Sequence, residues 1–563
     1  MTKVIEENVA ARLKTVASLM PSAISIAEPE GPVQSDGARS YRIRTFEALD
    51  RGSDDIAKGL SEWGVKPGMR IVMLVPFSGL FIEIVFALLK AGVVVVLIDP
   101  GMGRKHLIRC LSEAKPDGFF AVSKAQAIRK ILSRRFRRAK WNVTVGRRWF
   151  WGGKTLEQIC SMGQKSERES SLISRSQRDE AAIIFTTGST GPPKGVLYTH
   201  GTFHSQIDRI RERYDIHRGS RDLACFPLFG LYDAVMGVTT VIPDMDPTRP
   251  ADVNPKRLIE AVEQWEIDQA FGSPALWNRV VRWAQANKIE RPFPTLKRVL
   301  SAGAPVPADT LIKLRGLIHE EADIVTPYGA TEALPIASIE SRQVIAETGP
   351  ASEKGKGTCV GNRFDGVHWK VIEIDDGPIA SLAETTELER GKIGELMVSG
   401  PMVTKEYVVR SDQNSIHKVT DGEVVWHRMG DVGYLDSQDR FWFCGRKAHR
   451  VITAGRTLYT IPCEAIFNTH PFVYRSALIG IGERESQIPV ILIELLPDAQ
   501  NLASGEREAL IEELRVLGAR NPQTRRIERI EIRDAPLPVD IRHNSKIFRE
   551  QLAVEYAASH MNP

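Results

Sequence analysis

The chain has 563 residues, 75 Lys and Arg against 70 Asp and Glu, a formal net charge of +5 and 42% hydrophobic residues. That length exceeds a single hydrophobic core and implies two or more domains, and the ordinary composition implies a folded globular chain. So small a basic excess excludes a dedicated nucleic-acid binder, and six scattered cysteines without C-x-x-C spacing give neither a zinc site nor a disulfide framework.

The first twenty residues carry early acids and apolar residues at helical spacing, without the apolar core and cleavage site of a secretory leader. The most hydrophobic stretch, SGLFIEIVFALLKAGVVVVLIDP, contains Glu83, Lys90 and Gly92. It reads as a helix to about Lys90, a turn at Gly92 and a buried strand, part of a βαβ unit rather than a membrane span. The expected location is therefore cytoplasmic. From Ala121 to Thr155 there are eleven Lys and Arg and no acid, densest in RKILSRRFRRAK and followed there by the tryptophans of WNVTVGRRWFWGG. A solvated basic face is the plainer reading; a membrane-surface or partner-docking segment is the other. Gly163–Asp179 and Glu347–Thr358 read as mobile surface connections.

IIFTTGSTGPPKGVLYTH, from Ile183 to His200, is a short apolar strand running into a loop. Thr186, Thr187, Ser189 and Thr190 supply hydroxyls; Gly188, Gly191 and Gly195 free the backbone, and Lys194 adds a cation. These are the elements of an anion nest. It is not a Walker A loop, because two prolines separate Gly191 from Lys194 and Gly195 follows the lysine. The stretch resembles the signature phosphate loop of the adenylate-forming superfamily, which includes acyl-CoA synthetases, luciferases and peptide adenylation domains.

Further motifs of that superfamily follow in order. FPLFGLYDA resembles its acyl-pocket segment, with Gly230 where a His is common, implying a differently shaped pocket. LSAGAPVP resembles the loop that faces adenine, its small Gly303 and Ala304 allowing a flat ring to lie close. In TPYGATEALP the resemblance implies Tyr328 stacking on adenine beside Gly329, Thr331 reaching phosphate, and Glu332 as an oxygen ligand for Mg²⁺. GTCVGNRFDGVHWKV departs from the family pattern at Asn362 and Arg363, and no role is carried over there. Asp431 matches the family's ribose-binding Asp and Arg446 the Arg that reaches ribose and phosphate. Lys546, in VDIRHNSKIFREQL, matches the C-terminal adenylation lysine, with Ser545 in place of the usual Gly.

The resemblance implies an α/β fold: a large N-terminal domain of layered, largely parallel sheets with helices over 1–447, binding ATP and the acyl group. A small mobile α+β domain over 448–563 would carry Lys546, with Ala448 at the hinge. It covers the chain well from Ala181 onward, and earlier residues match in hydrophobic pattern only. In ITAGRTLYTIPCE, Ala454 replaces a glycine, Arg456 the usual Glu, and Tyr459 is bulky; this departs from the CoA-using pattern. The wording of GRKAHRVITAGRTLYTIPCE and TPYGATEALP is similar to the β-lactone synthetases of bacterial long-chain olefin biosynthesis. That branch implies ATP-dependent adenylation of a long-chain 2-alkyl-3-hydroxy acid, then attack by the acid's own hydroxyl, with His449 as a candidate base. Two alternatives remain: a long-chain acyl-CoA ligase using CoA, and a non-catalytic acyl- or nucleotide-binding protein that docks partners through the basic segment. Expected partners are the hydroxy acid, olefin-pathway enzymes and a peripheral membrane contact, with no nucleic acid.

Overall fold

The structure, a computed structural model, describes residues 7–34, 39–186, 192–540 and 546–560. Two large sheets are parallel at their centres, as expected for alternating strands and helices. One has nine strands in the order Asn362–Arg363, Ala333–Glu340, Asp323–Ala330, Arg298–Ser301, Gln269–Gly272, Arg221–Ala224, Thr239–Val241, Ile24–Glu30, Ser40–Thr45. The other has eight: Tyr407–Val409, Gly195–Thr199, Glu180–Phe185, Val94–Leu97, Arg70–Leu74, Gly118–Val122, Trp141–Val145, Lys154–Thr155.

The hydrophobic stretch at 78–97 folds as its pattern indicates. Ser78 caps the helix Gly79–Lys90 by accepting from the Phe81 amide, Gly92 turns with φ +68°, and Val94–Leu97 joins the sheet parallel to Arg70–Leu74. Its two charges are neutralised in place: Glu83 meets Arg44, and buried Lys90 lies 2.6 Å from Asp50 and 2.5 Å from Asp54. Among the described residues no helix is long and apolar enough to cross a membrane.

A third large sheet is antiparallel: Thr358–Cys359, Phe441–Arg446, Val424–Leu435, Gly394–Ser399 and His368–Ile372, with Lys418–Asp421 paired onto Val424–Leu435. Its tight turns, such as the one at Gly422, leave no room for parallel crossovers. Two expectations, the mobile surface connections, need correction. Residues 163–179 are laced to the body. The Ile173 amide donates to the Lys90 carbonyl, Ser171 to Asp54, and the Gln177 amide to Glu7. Residues 347–356 belong to a run of short helical turns that begins at Ser341. It docks on the helix Thr460–Phe467, where a Cβ on Gly355 (φ +78°) would stand 3.1 Å from the Pro462 carbonyl oxygen.

From Val451 onward the chain forms a hairpin, Val451–Thr453 with Arg456–Leu458, and a three-stranded sheet of Val473–Ile481, Ile488–Leu495 and Arg529–Ile532. Two apolar clusters drawn only from these residues fill the lobe.

Candidate active site

The strand Glu180–Phe185 pairs antiparallel with Gly195–Thr199, so the chain between them must reverse direction. Thr186 and Lys194 clamp the stem of that reversal: the Thr186 amide donates to the Lys194 carbonyl (3.0 Å), and the Lys194 amide donates to Thr186 Oγ1 (3.1 Å). Thr187, Gly188, Ser189, Thr190 and Gly191 lie outside the described residues.

Strand pairing then delivers a partner the motif reading missed. Tyr407–Val409 adds to the edge at Gly195–Thr199, with Tyr407 opposite Val196. This places the Tyr407 ring 4.8 Å from Lys194 Nζ and lets its hydroxyl donate to Glu332 Oε1 at 2.7 Å. Lys194 Nζ lies 4.0 Å from the same oxygen. Lys418, opposite His427 in the third sheet, has its Nζ 5.4 Å from the centre of the Tyr407 ring and donates to the Thr404 carbonyl at 2.5 Å. Burial opposes ionisation of Glu332, but Lys194, the Tyr407 hydroxyl and Lys418 together hold its pKa below the usual carboxylate value. Burial likewise pushes the Lys418 ammonium down to about 7.

His417 completes the Lys194 pocket. Its Nε2 lies 3.1 Å from Lys194 Nζ, and burial with that neighbouring cation pushes its pKa down to about 3. A neutral imidazole accepts from an ammonium at this position. His427 Nδ1, 3.1 Å from the His417 carbonyl oxygen, is placed to donate to it. Nothing in the local sequence around Tyr407, His417, Lys418 or His427 marks them as site residues; only cross-strand register brings them in.

Register also explains a second polar cluster. Asp431 and Arg446 are directly opposite in an antiparallel pair, and Arg446 Nη1 donates to Asp431 Oδ1 at 2.6 Å. Tyr328 reaches the second oxygen, its hydroxyl donating to Asp431 Oδ2 at 2.5 Å. Asp431 lowers the tendency of Arg446 to lose its proton, raising its pKa, and burial followed by the Asp431 charge raises that of Tyr328. The Arg446 charge is felt by both Lys194 and Glu332, so the two clusters form one site. Gly329 sits where the pairing shifts register, and a Cβ there would approach the Ala333 carbonyl oxygen to 2.7 Å. Thr331 is half-buried, its carbonyl accepting from Tyr198. Gly303 turns with φ +101° just beyond Arg298–Ser301, the parallel neighbour of Asp323–Ala330, which places Gly303 and Ala304 at the same sheet edge.

The FPLFGLYDA segment forms the helix Pro227–Met236. A Cβ on Gly230 would meet Phe77 and Ile82 at 3.1 Å, so these two side chains fill the space a larger residue would take. Between this helix, Gly79–Lys90 and His200–Arg213 lies an apolar cavity of about 30 Å³, lined by Phe86, Leu89, Phe203, Ile207, Leu231 and Val235 among others.

His449 is buried in the turn Lys447–His449. Its Nε2 is 3.1 Å from Glu550 Oε1 without hydrogen-bond alignment. Arg456 donates to the Pro522 carbonyl at 2.7 Å, and Arg549 makes a two-oxygen pair with Glu464 at 2.8 Å. Lys546 donates its amide to Asp540 Oδ1 and pairs back through its carbonyl to the Asp540 amide.

Residues 27–408 match the family model described as AMP-binding enzyme. The chain is 44% identical over 97% of its length and 97% of its relative's to an olefin beta-lactone synthetase of Xanthomonas campestris pv. campestris, and 42% identical at the same coverage to one of Stenotrophomonas maltophilia. Its fold matches the ATP-bound RpMatB–BxBclM chimera B1 with a TM-score of 0.77, 18% identity, and coverage of 99% of this chain and 100% of that one. The chain belongs to the AMP-binding enzyme family and is an adenylate-forming, ATP-using ligase or synthetase.

Proposed function

We propose that this member of the family adenylates a long-chain 2-alkyl-3-hydroxy acid and closes it to a β-lactone. The observation that carries the reading is the 44% identity, end to end, with a protein named olefin beta-lactone synthetase. The hairpin at Val451–Leu458 supports it. Arg456, standing where CoA-using relatives are expected to have Glu, is turned back onto Pro522 and Gln523, and half-buried Tyr459 follows.

In the first step a carboxylate oxygen of the acid attacks the α-phosphorus of ATP, the bond to the β-phosphate oxygen breaks, and pyrophosphate leaves. Thr186, the 187–191 loop and Lys194 would hold the polyphosphate, Tyr328, Gly303 and Ala304 the adenine, and Asp431 with Arg446 the ribose. Both Asp431 oxygens keep lone pairs beyond the two bonds they already accept, which suits ribose hydroxyls. Glu332 would hold Mg²⁺. It is an ionised oxygen ligand, and no metal-binding group of His, Cys, Asp and Glu surrounds it among the described residues, which fits an ion that keeps phosphate oxygens and water. Bound there, the ion would neutralise polyphosphate charge. Thr331 would donate to phosphate, and Lys546 would stabilise the charge between carboxylate and α-phosphate.

In the second step the substrate's β-hydroxyl oxygen attacks the acyl carbon, the acyl–phosphate bond breaks, AMP leaves, and the hydroxyl proton passes to a base, for which His449 is the candidate. An intramolecular nucleophile gains an effective molarity of up to about 10⁵–10⁸ M, part of which ring strain offsets. We place the boundary between the lobes at 447/448 and assign the lobe 448–563 the motion that exchanges Lys546 for the hairpin. The apolar seam beside Gly230 is where the alkyl chain would enter.

The test is incubation with ATP, Mg²⁺ and a 3-hydroxy acid, without CoA. AMP release with a lactone product is expected; turnover only with CoA, giving a thioester, would overturn the reading.

A further inference from the structure

The basic segment has no part in the site above, and its geometry gives it a task. The helix Ser123–Ile131 and the loop 146–153 are bound side by side at both ends. Ser123 Oγ donates to the Arg147 carbonyl at 2.6 Å, and buried Arg129 donates to the Trp151 carbonyl at 2.9 Å. Trp151 is buried at the loop's base, its Nε1 donating to Thr144 Oγ1. Beyond that anchor, Trp149 and Phe150 project at 59% and 72% exposure, with Ile128 and Ile131 exposed on the neighbouring helix.

The same segment carries Lys124, Lys130, Arg134, Arg135, Arg137 and Arg148, all exposed. Among the described residues the segment's one ion pair is Arg138 with Asp117, and no acid occurs between Ala121 and Thr155. Large exposed aromatics within an unbalanced field of cations are costly in water. They are well matched to the boundary of an anionic bilayer, where rings enter the headgroup region and cations meet phosphates.

The loop follows the carboxyl end of Trp141–Val145, four places across the parallel part of the sheet from Glu180–Phe185. At about 4.8 Å per strand this is roughly 19 Å along the edge that carries the phosphate loop. We propose that the helix Ser123–Ile131 and the Trp149–Phe150 loop form a docking surface for an anionic phospholipid bilayer. The inference rests on this surface alone and not on the β-lactone reading.

The experiment is co-sedimentation of the full chain with mixed phosphatidylcholine–phosphatidylglycerol vesicles, against pure phosphatidylcholine. The expected result is binding to the mixed vesicles that weakens with salt. The combined substitution Arg134→Ala, Arg135→Ala, Arg137→Ala should lower partitioning about 100-fold, and Trp149→Ser with Phe150→Ser about tenfold. Pyrophosphate release with a water-soluble acid should stay at the wild-type rate in both variants, which shows that they fold. Absence of binding to mixed vesicles at low salt would overturn the proposal, as would binding that neither variant weakens. Equal retention by immobilised poly-glutamate, unaffected by the aromatic substitutions, would also overturn it, in favour of an acidic protein partner.

Discussion

At the Glu332 end of the site, Tyr407, Lys194 and Lys418 surround one buried carboxylate from strands of two different sheets. At the other end, His449, Arg456 and Arg549 approach or bond residues of their own lobe: Glu550, Pro522 and Glu464. Ties from that lobe to the main body include Arg450 and Arg484 on the half-exposed Asp376. The exposed Arg484 pair contributes only about 0–1 kcal/mol, whereas the Arg450 side chain is 7% exposed, and the helix Thr460–Phe467 packs on Gly355 as well. The contrast teaches that the cluster around Glu332 is assembled from distant segments of the chain, while His449, Arg456 and Arg549 are organised within the lobe that the proposed mechanism moves.

The sharpest way to break the comparison is at Lys546. Lys546→Ala should lower acyl-adenylate formation, read by pyrophosphate release, about 10²–10³-fold. It should leave conversion of preformed adenylate within about twofold, since the lysine is assigned to the first step alone. Equal loss in both steps would dissolve the division of labour.

Next is His449→Ala, measured on preformed adenylate. A general base contributes about 10²–10⁴, so lactone formation should fall at least about 100-fold with pyrophosphate release unchanged. An unchanged lactone rate would reject His449 as the base.

His417→Phe probes the preassembled end. It keeps a planar ring but removes the acceptor for Lys194 Nζ, leaving a buried ammonium short of a partner at a cost of about 1–3 kcal/mol. The expected effect is a rise in KM for ATP of about tenfold with smaller loss in kcat; unchanged KM would show that Lys194 is held without it.

The smallest effect concerns stability beneath the acyl helix. Asp222 and Asp233 are fully buried and face each other; burial pushes Asp222 up to about 7 and raises Asp233 well above the usual value. A folded pKa above the unfolded one means the folded state binds more protons, so this stability is present in acid and is lost as pH rises from about 4 through about 7. Asp233→Asn should flatten that decline and raise the melting temperature at pH 8 by a few degrees, about 1 kcal/mol. Thermal melts across pH, with the wild type declining no faster than the variant, would contradict it.

The sequence alone determined the local features. The helix before Gly92, the turn there, the strand leading into the loop at Thr186 and the ordered motifs through Arg446 are written in neighbouring residues, so pattern and spacing read them. Tertiary structure decided what depends on pairing between distant segments. Residues 163–179 and 347–358, polar enough to look mobile, are fixed by hydrogen bonds and by docking against elements far along the chain. Lys194 and His417 are separated by 223 positions. Their contact, like that of Glu332 with Tyr407, joins residues at or beside the ends of strands in different sheets, so it exists only once those sheets have packed together. No local pattern encodes which distant strand will supply the opposite residue, and burial, which shifts Lys418 and His417 so far, follows from that assembly.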